Sequence, residues 1–261
     1  MTLRESVKSR LTVSQRAHVR RVINVFKSLV LEPRFAFRRA TIEWRLPLLP
    51  GGRGWRSTQP YALLMSFQKG IQKYRYREIP MLKHPVEIAL YMQLIWETKP
   101  KTIFEIGSFS GGGAVWMGDL LKTFGIDGQV ISLDLTPPCP AYSPSNVRFL
   151  KGDATDLGRA LSPELLTKAP RPWLVIEDAS HVDETSLAVL RFFDLKLNSG
   201  EYIIVEDGIT TQLGQDYAQG PKLAITQFLQ ERGSDYIIEA RYCDFFGRNV
   251  TGNPNGYLRK K

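Results

Sequence analysis

The chain is poor in the residue types that most often mark metal or redox centres. It has two cysteines, Cys139 and Cys243, and three histidines, His18, His84 and His181, in 261 residues. The cysteines form no Cys-x-x-Cys or zinc-ribbon spacing. This argues against a zinc or dithiol centre and leaves free thiols in a reducing compartment as the expectation. No run reaches the ~18–20 apolar residues of a membrane span. The apolar stretch from Val22 to Leu31 is broken by Lys27 and lacks a small-residue cleavage site, so no signal peptide is read and a cytoplasmic location is expected. A lone Asn249-Val250-Thr251 sequon does not outweigh this, because such triplets arise often by chance. Internal repeats and low-complexity tracts are absent.

What is abundant is positive charge, and it is unevenly placed. Residues 1–60 carry 13 Lys and Arg against three acids, a net +10, while the whole chain is +9, so the remaining 201 residues sum to −1. The chain is therefore read as a basic extension and linker over 1–60 and a near-neutral domain over 61–261, with the breaker cluster Pro47-Leu-Leu-Pro50-Gly-Gly-Arg-Gly54 as the link. A basic arm suits an anionic membrane surface, where each Lys or Arg adds about 1 kcal/mol, and it also suits nucleic acid. The mixed apolar face of Val22, Ile23, Val25, Phe26 and Leu29 to Leu31 could lie on a membrane or pack on the core. A solvated arm, or one packed within a homo-oligomer, is the plain alternative.

From Lys101 onward, strand and helix patterns alternate. Continuous apolar runs such as Trp173-Leu-Val-Ile176 and Tyr202-Ile-Ile-Val205 read as buried parallel strands. Strands are expected at 102–106, 129–134, 147–151, 173–177 and 202–206. Helices are expected at 113–124, 156–167, 183–197 and 220–232. Upstream, helices are expected from Tyr61 to Gln72 and from Pro85 to Thr98, the second with proline in its first turn. Two last strands, near 236–243 and 255–260, have no helix expected between them and should pair as an antiparallel hairpin. The fold class is thus α/β and Rossmann-like: a mostly parallel seven-stranded sheet with helices on both faces.

The stretch Thr102-Ile-Phe-Glu105-Ile-Gly107-Ser108-Phe-Ser-Gly111-Gly112-Gly113 ends an apolar strand in an acid, turns through glycines and opens a helix. Such a crossing presents a ligand crevice, with glycines allowing close backbone approach and helix amides pointing inward. Glu105 at the strand end would repel a pyrophosphate and welcome an ammonium. This tilts the reading from NAD to S-adenosylmethionine, whose amino-acid end and sulfonium are cationic. Further acids stand at the ends of successive strands: Asp134, Asp153, Asp178 and the pair Glu206-Asp207. Asp134 is placed to accept ribose hydroxyls, and Gly152-Asp153-Ala154 to sit beside the adenine. Helix caps and Asx turns are the plain alternative for each acid.

Asp178-Ala-Ser-His181 and Glu206-Asp207 form a second constellation. Adjacent strand ends lie ~5 Å apart, and two like charges ~4 Å apart cost about 4 kcal/mol at an effective dielectric near 20. Such a group calls for a cation or for protonation, and oxygen ligands with open positions favour Mg²⁺. His181 is the best general-base candidate, able to take the proton of a hydroxyl activated beside it. His84 and His18 are read as structural.

These residues together resemble the S-adenosylmethionine-dependent O-methyltransferases grouped with rhamnosyl O-methyltransferases and the so-called cephalosporin hydroxylases. The resemblance runs from about Tyr74 to the C-terminus. It rests on Pro80-Met-Leu-Lys83, Glu105-Ile-Gly-Ser-Phe-Ser-Gly-Gly112, Gly125-Ile-Asp-Gly128, Gly152-Asp153, Val205-Glu206-Asp207 and Asn253-Pro-Asn-Gly-Tyr-Leu258. The acid and histidine pattern is also similar to macrolide-sugar O-methyltransferases, in which the matching acids hold Mg²⁺ and the matching histidine is the proposed base. The resemblance implies a class I methyltransferase fold and S-adenosylmethionine bound through Glu105, Gly107, Ser108, Gly111, Gly112, Gly113, Asp134, Asp153, Ala154 and Asp178. It implies Mg²⁺ on Asp178, Glu206 and Asp207, catalysis by His181, and a sugar, glycosylated small molecule or glycolipid as acceptor. Ser180 departs from relatives that carry an extra acid before the histidine. The hydroxylase label does not fit, since too few histidines are suitably placed for an iron facial triad. A nucleic-acid methyltransferase would explain the basic arm, but Asn253-Pro-Asn-Gly-Tyr257 lies near the C-terminus rather than after the fourth strand. A membrane-docked protein that binds the cofactor without turnover is the non-enzyme alternative.

Overall fold

A computed structural model of the chain describes residues 48–210 and 220–261. The basic stretch before residue 48, with His18 and the apolar face from Val22 to Leu31, lies outside the described residues. Among the described residues no helix is long and apolar enough to cross a membrane.

A seven-stranded sheet has the spatial order β5-β4-β3-β6-β7-β9-β8. Its members are β3 (Thr102–Ile106), β4 (Gln129–Asp134), β5 (Val147–Lys151), β6 (Trp173–Glu177), β7 (Tyr202–Val205), β8 (Tyr236–Ile238) and β9 (Tyr257–Lys260). The first five are mutually parallel, and β9 runs antiparallel to both β7 and β8. Chain order reverses beside β3, which pairs with both β4 and β6. A crevice therefore opens beyond the carboxyl ends of these strands, where open α/β sheets bind ligands. Preceding the sheet are α1 (Tyr61–Ile71), a two-residue pair β1 (Arg75–Tyr76) and β2 (Ile79–Pro80), and α2 (Pro85–Thr98). The other helices are α3 (Gly112–Thr123), α4 (Leu157–Ala160), α5 (Pro163–Lys168), α6 (Asp183–Asp194), α7 (Gly220–Arg232) and α8 (Ala240–Cys243).

Strand alternation sends side chains to two cores. Phe104, Ile106, Val175 and Val205 face one cluster with Phe193 and Phe228. Ile103, Ile176 and Ile204 face the other, with Leu94, Met117 and Tyr257. Continuing the period, Glu105 and Glu206 fall on the second face and Glu177 on the first. The face of each strand-end acid is thus set by the hydrophobic register before it.

Three local expectations are corrected. The helix over 156–167 is two pieces, because Pro163 cannot donate to the preceding turn and Ser162 caps the second piece, accepting from Leu165 N at 3.2 Å. The strand expected over 236–243 ends at Ile238, and α8 separates it from β9, which slots between β7 and β8. The small β1–β2 pair, turning through Arg77 and Glu78 at φ of 48° and 65°, was not anticipated.

The expected division at residue 60 also differs from the packing, since one compact unit spans Leu46–Lys261. Leu49 and Trp55 are buried in the first core cluster. Arg53 grips Asp244 with two hydrogen bonds of 2.8 and 2.6 Å and Asn249 Oδ1 at 3.1 Å. Arg53→Ala should destabilise the fold by about 2 kcal/mol, the scale of charged hydrogen bonds lost together. Arg53→Lys should recover only part of this, because an ammonium lacks the two-pronged geometry. Urea unfolding of the three proteins checks it.

Candidate functional site

At the carboxyl ends of β3, β4, β5, β6 and β7 lies a cavity of about 400 Å³, within the range of small-ligand sites. The glycine loop forms one wall. A Cβ on Gly107 would stand 2.0 Å from the Asp178 carbonyl oxygen, and φ there is +104°, so only glycine lets β3 and β6 end this close together. A Cβ on Gly113 would stand 2.6 Å from Glu105 Oε1. These close approaches are to the protein itself, which refines the expectation that the glycines make room for a ligand. Gly107, Ser108, Gly112 and Gly113 line the cavity. Gly111 does not; it caps α3 in the left-handed region, against Phe149.

Asp134 and Asp153 line the cavity as expected, each with local duties. Asp134 accepts from the amides of Ser108 (2.9 Å), Phe109 (3.1 Å) and Thr136 (2.9 Å), which ties the end of β4 to the loop after β3. Asp153 Oδ1 accepts from Thr155 N and Oγ1 in an Asx turn, at 2.8 and 2.7 Å. Ala154 lines the cavity beside it. Leu82, Phe109 and Leu135 also line it, and these large apolar side chains are exposed, a mouth that a ligand would cover.

Asp178, His181 and Asp207 come together, offering one ligand atom each within 4.8 Å of one another. His181 Nε2 stands 3.3 Å from Asp207 Oδ2. Both residues are in the left-handed region, with φ of 57° and 58°. Such strained non-glycine positions concentrate at functional sites. Asn253 Oδ1 accepts from the Asp207 amide at 3.1 Å, so the C-terminal Asn253-Pro-Asn-Gly motif holds the turn after β7 in place.

Glu206 does not join that group. It is buried, and Oε1 accepts from Lys83 Nζ at 2.7 Å and from Tyr91 OH at 2.5 Å. Lys83 also donates to Asp178 Oδ2 at 2.6 Å and is itself buried. Neither Lys83 nor Tyr91 was singled out as a site residue. Lys83 stood in the Pro80-Met-Leu-Lys83 motif, and its only signal was a charge between apolar residues and a helix cap.

Burial pushes the Glu105 carboxyl up to about 8, against the pull of Lys83 and a hydrogen bond from Ser132 Oγ. It pushes Glu177, behind the site, up to about 7. Asp178, Glu206 and Asp207 are raised by the same burial. Lys83 is raised well above its ordinary value, its burial outweighed by Asp178, Glu206 and Glu105, and it stays charged at neutral pH. The acids thus outnumber the resident cation, and the site is built to receive positive charge.

Comparison with known proteins gives the family and the fold. The family model described as rhamnosyl O-methyltransferase/CmcI matches residues 68–261. A rhamnosyl O-methyltransferase of Mycobacterium bovis is 27% identical over 194 residues, covering 71% of this chain and 78% of that protein. One from Mycobacterium leprae is 25% identical over 190 residues, covering 70% and 81%. A solved structure of CmcI described with Mg and SAM is similar at a TM-score of 0.58 and 29% identity, over 73% of this chain and 77% of that one. A CmcI structure with SAH gives 0.57 and 25%, over 83% and 97%.

The raised acids set the pH dependence of the ligand-free fold. Unfolded glutamates titrate near 4.3. Between that value and about 7 to 8 the folded chain holds more protons at Glu105 and Glu177 than the unfolded chain. Stability therefore falls as pH rises through this window. Thermal melts from pH 5 to 8 should show a declining midpoint, and Glu177→Gln should flatten the decline. A midpoint that rises across the window would contradict the burial of these acids.

Proposed function

The chain belongs to the rhamnosyl O-methyltransferase/CmcI family and is an O-methyltransferase, and we propose that it moves the methyl group of S-adenosylmethionine to a hydroxyl of a sugar or glycosylated molecule, with Mg²⁺ in the acid cluster. The observation that carries this reading is the convergence of Asp178, His181 and Asp207 at the mouth of a cavity walled by the glycine loop. The donor set fits a hard cation, since Mg²⁺ typically takes one or two carboxylates and completes its shell with water and substrate oxygens. When bound, Mg²⁺ would hold acceptor oxygens and lower the pKa of a hydroxyl.

The chain's own residues supply the rest. Glu105, in β3 with its carboxyl beside Gly113 at the start of α3, receives the ammonium of the methionine end, and the amides of the α3 N-terminus face the methionine carboxylate. Asp134 accepts from the ribose hydroxyls while keeping the loop after β3 in shape. Asp153 Oδ1 is taken by Thr155, which leaves Oδ2 for the adenine amine. The exposed rings and chains of Phe109, Leu82 and Leu135 close over the ligand and exclude water. His181 takes the acceptor proton, and Asp207 orients the imidazole and stabilises its charged form. Mg²⁺ prefers oxygen, so the imidazole remains available as a base. Methyl transfer is a direct displacement, and its acceleration comes from alignment and charge control. Contact of the basic residues 1–60 with an anionic membrane surface, bringing the enzyme to a glycolipid acceptor, belongs to the same proposal.

Titration with S-adenosylmethionine, followed by transfer assays on a panel of hydroxylated glycans with and without Mg²⁺, tests the reading. His181→Ala should lower kcat by about 10² to 10⁴ with cofactor affinity unchanged. Glu105→Ala should weaken cofactor binding before it disturbs the fold. Turnover unaffected by chelator and by Asp178→Ala would remove the metal from the proposal. Failure to bind S-adenosylmethionine would overturn all of it. Sedimentation with anionic vesicles, lost on deleting residues 1–47, checks the membrane contact.

A further inference from the structure

Asp119 stands on α3, roughly two turns along from Gly112 and outside the cavity, yet three donors converge on it. Tyr76 OH and Arg77 Nε donate to Oδ2 at 3.0 and 2.7 Å, and Tyr142 OH donates to Oδ1 at 2.9 Å. The Asp119 side chain is 12% exposed. Burial alone would raise its carboxyl, but the hydrogen bonds from Tyr142, Tyr76 and Arg77 outweigh this and hold it below the usual carboxylate range, so it is ionised at neutral pH. Hydrogen bonds to an ionised acceptor are roughly twice as strong as neutral ones. The Arg77 guanidinium also lies over the Tyr142 ring, 4.3 Å from its centre.

The donors come from two segments that also line the cavity. Tyr76 and Arg77 belong to the β1–β2 hairpin, in which Tyr76 lies opposite Ile79 and Arg75 opposite Pro80. Pro80, Met81 and Leu82 then line the cavity. Arg77 sits in the left-handed region, a conformation that persists in a non-glycine residue only where its surroundings hold it. Tyr142 belongs to the connection from β4 to β5, which begins at the cavity residue Leu135. Both segments touch the start of α3 as well. A Cβ on Gly112 would stand 2.4 Å from the Pro80 carbonyl oxygen, and one on Gly111 would stand 3.2 Å from Pro138 Cγ. Further along α3, Asn146 Nδ2 donates to the Gly118 carbonyl at 3.0 Å. The hairpin and the connection are thus packed on α3 beside the cavity and joined again at Asp119 by charge.

We infer that Asp119 is a positioning residue for the cofactor: it clamps the β1–β2 hairpin and the β4–β5 connection to α3, and so fixes the spacing of Leu82 and Leu135 at the mouth of the cavity. This rests on the S-adenosylmethionine reading above and adds to it residues that line no part of the cavity. With the clamp closed, a bound ligand leaves only in a rare opening. With it released, the two segments part more readily and the ligand escapes faster, so the effect falls on dissociation.

The test is a chase of radiolabelled S-adenosylmethionine from the full-length protein with excess unlabelled S-adenosylmethionine, with thermal melts of the ligand-free chain alongside. Tyr142→Phe keeps the ring under Arg77 and removes only the hydroxyl, and Arg77→Ala changes a half-exposed side chain. Each should raise the dissociation rate about threefold, and Asp119→Ala about tenfold, the scale of coupling carried by residues that do not touch the ligand. Arg77→Lys, which keeps a charged donor, should stay near the wild type. If Asp119→Ala does not fold, Tyr142→Phe and Arg77→Ala still decide. A wild-type dissociation rate in both of these, or an Asp119→Ala protein that melts earlier yet releases the cofactor no faster, would overturn the inference alone and leave the methyltransferase reading intact. Failure of the wild type to bind S-adenosylmethionine would overturn that reading instead, and the inference with it.

Discussion

A single buried ammonium holds the centre of this protein together. Lys83 lies between Asp178 and Glu206, with Glu105 close by; Lys83 and the two glutamates are buried, and Asp178 borders the cavity. Charges removed from water are tolerated only when well paired, and breaking such a pair strands the remainder at a cost of several kcal/mol. The acids come from three different strands, and the ammonium comes from the segment before α2. The ion pairs therefore exist only when the sheet, α2 and the C-terminal motif are all in place. The geometry of the candidate site and the global fold share one constraint.

That constraint explains why the cavity is both rigid and receptive. Asp134 fastens the glycine loop through its amides, and Asn253 fastens the turn that carries Asp207. The glycines serve the protein's own close contacts as much as any ligand, since Gly107 abuts the Asp178 carbonyl and Gly113 the Glu105 carboxyl. A scaffold held from both sides can keep several carboxyls crowded and partly protonated. The cationic cofactor and metal proposed for the site would relieve that crowding, so binding free energy and charge relief act together.

Much of the site was legible because parallel β/α units place strand ends in register. Continuous apolar runs marked the five parallel strands, and an acid following each run had to face the same crevice. Asp178, His181 and Asp207 could be grouped this way from spacing alone. Glu206 directly precedes Asp207 on the other face of the strand end, and Lys83 and Tyr91 donate to its Oε1, a pairing that spacing alone does not reveal. Lys83 itself was invisible as a site residue because it lies about 100 positions from its partners in the chain, outside any strand end. The break at Pro163 was readable in principle, since proline interrupts a helix, whereas the helical turn over Ala240–Cys243 had no such marker.

The sequence by itself determined the α/β alternation, the glycine loop, the acids at the strand ends and the family, because each is written in local residue order. Tertiary structure alone decided where β9 inserts, that residues 48–60 pack onto the compact unit, and which acids face a cation already inside the protein. The physical reason is the difference in range. Propensity and periodicity act over a few residues, but the ionisation and partner of a buried carboxyl depend on whatever the whole fold brings within about 3 Å of it.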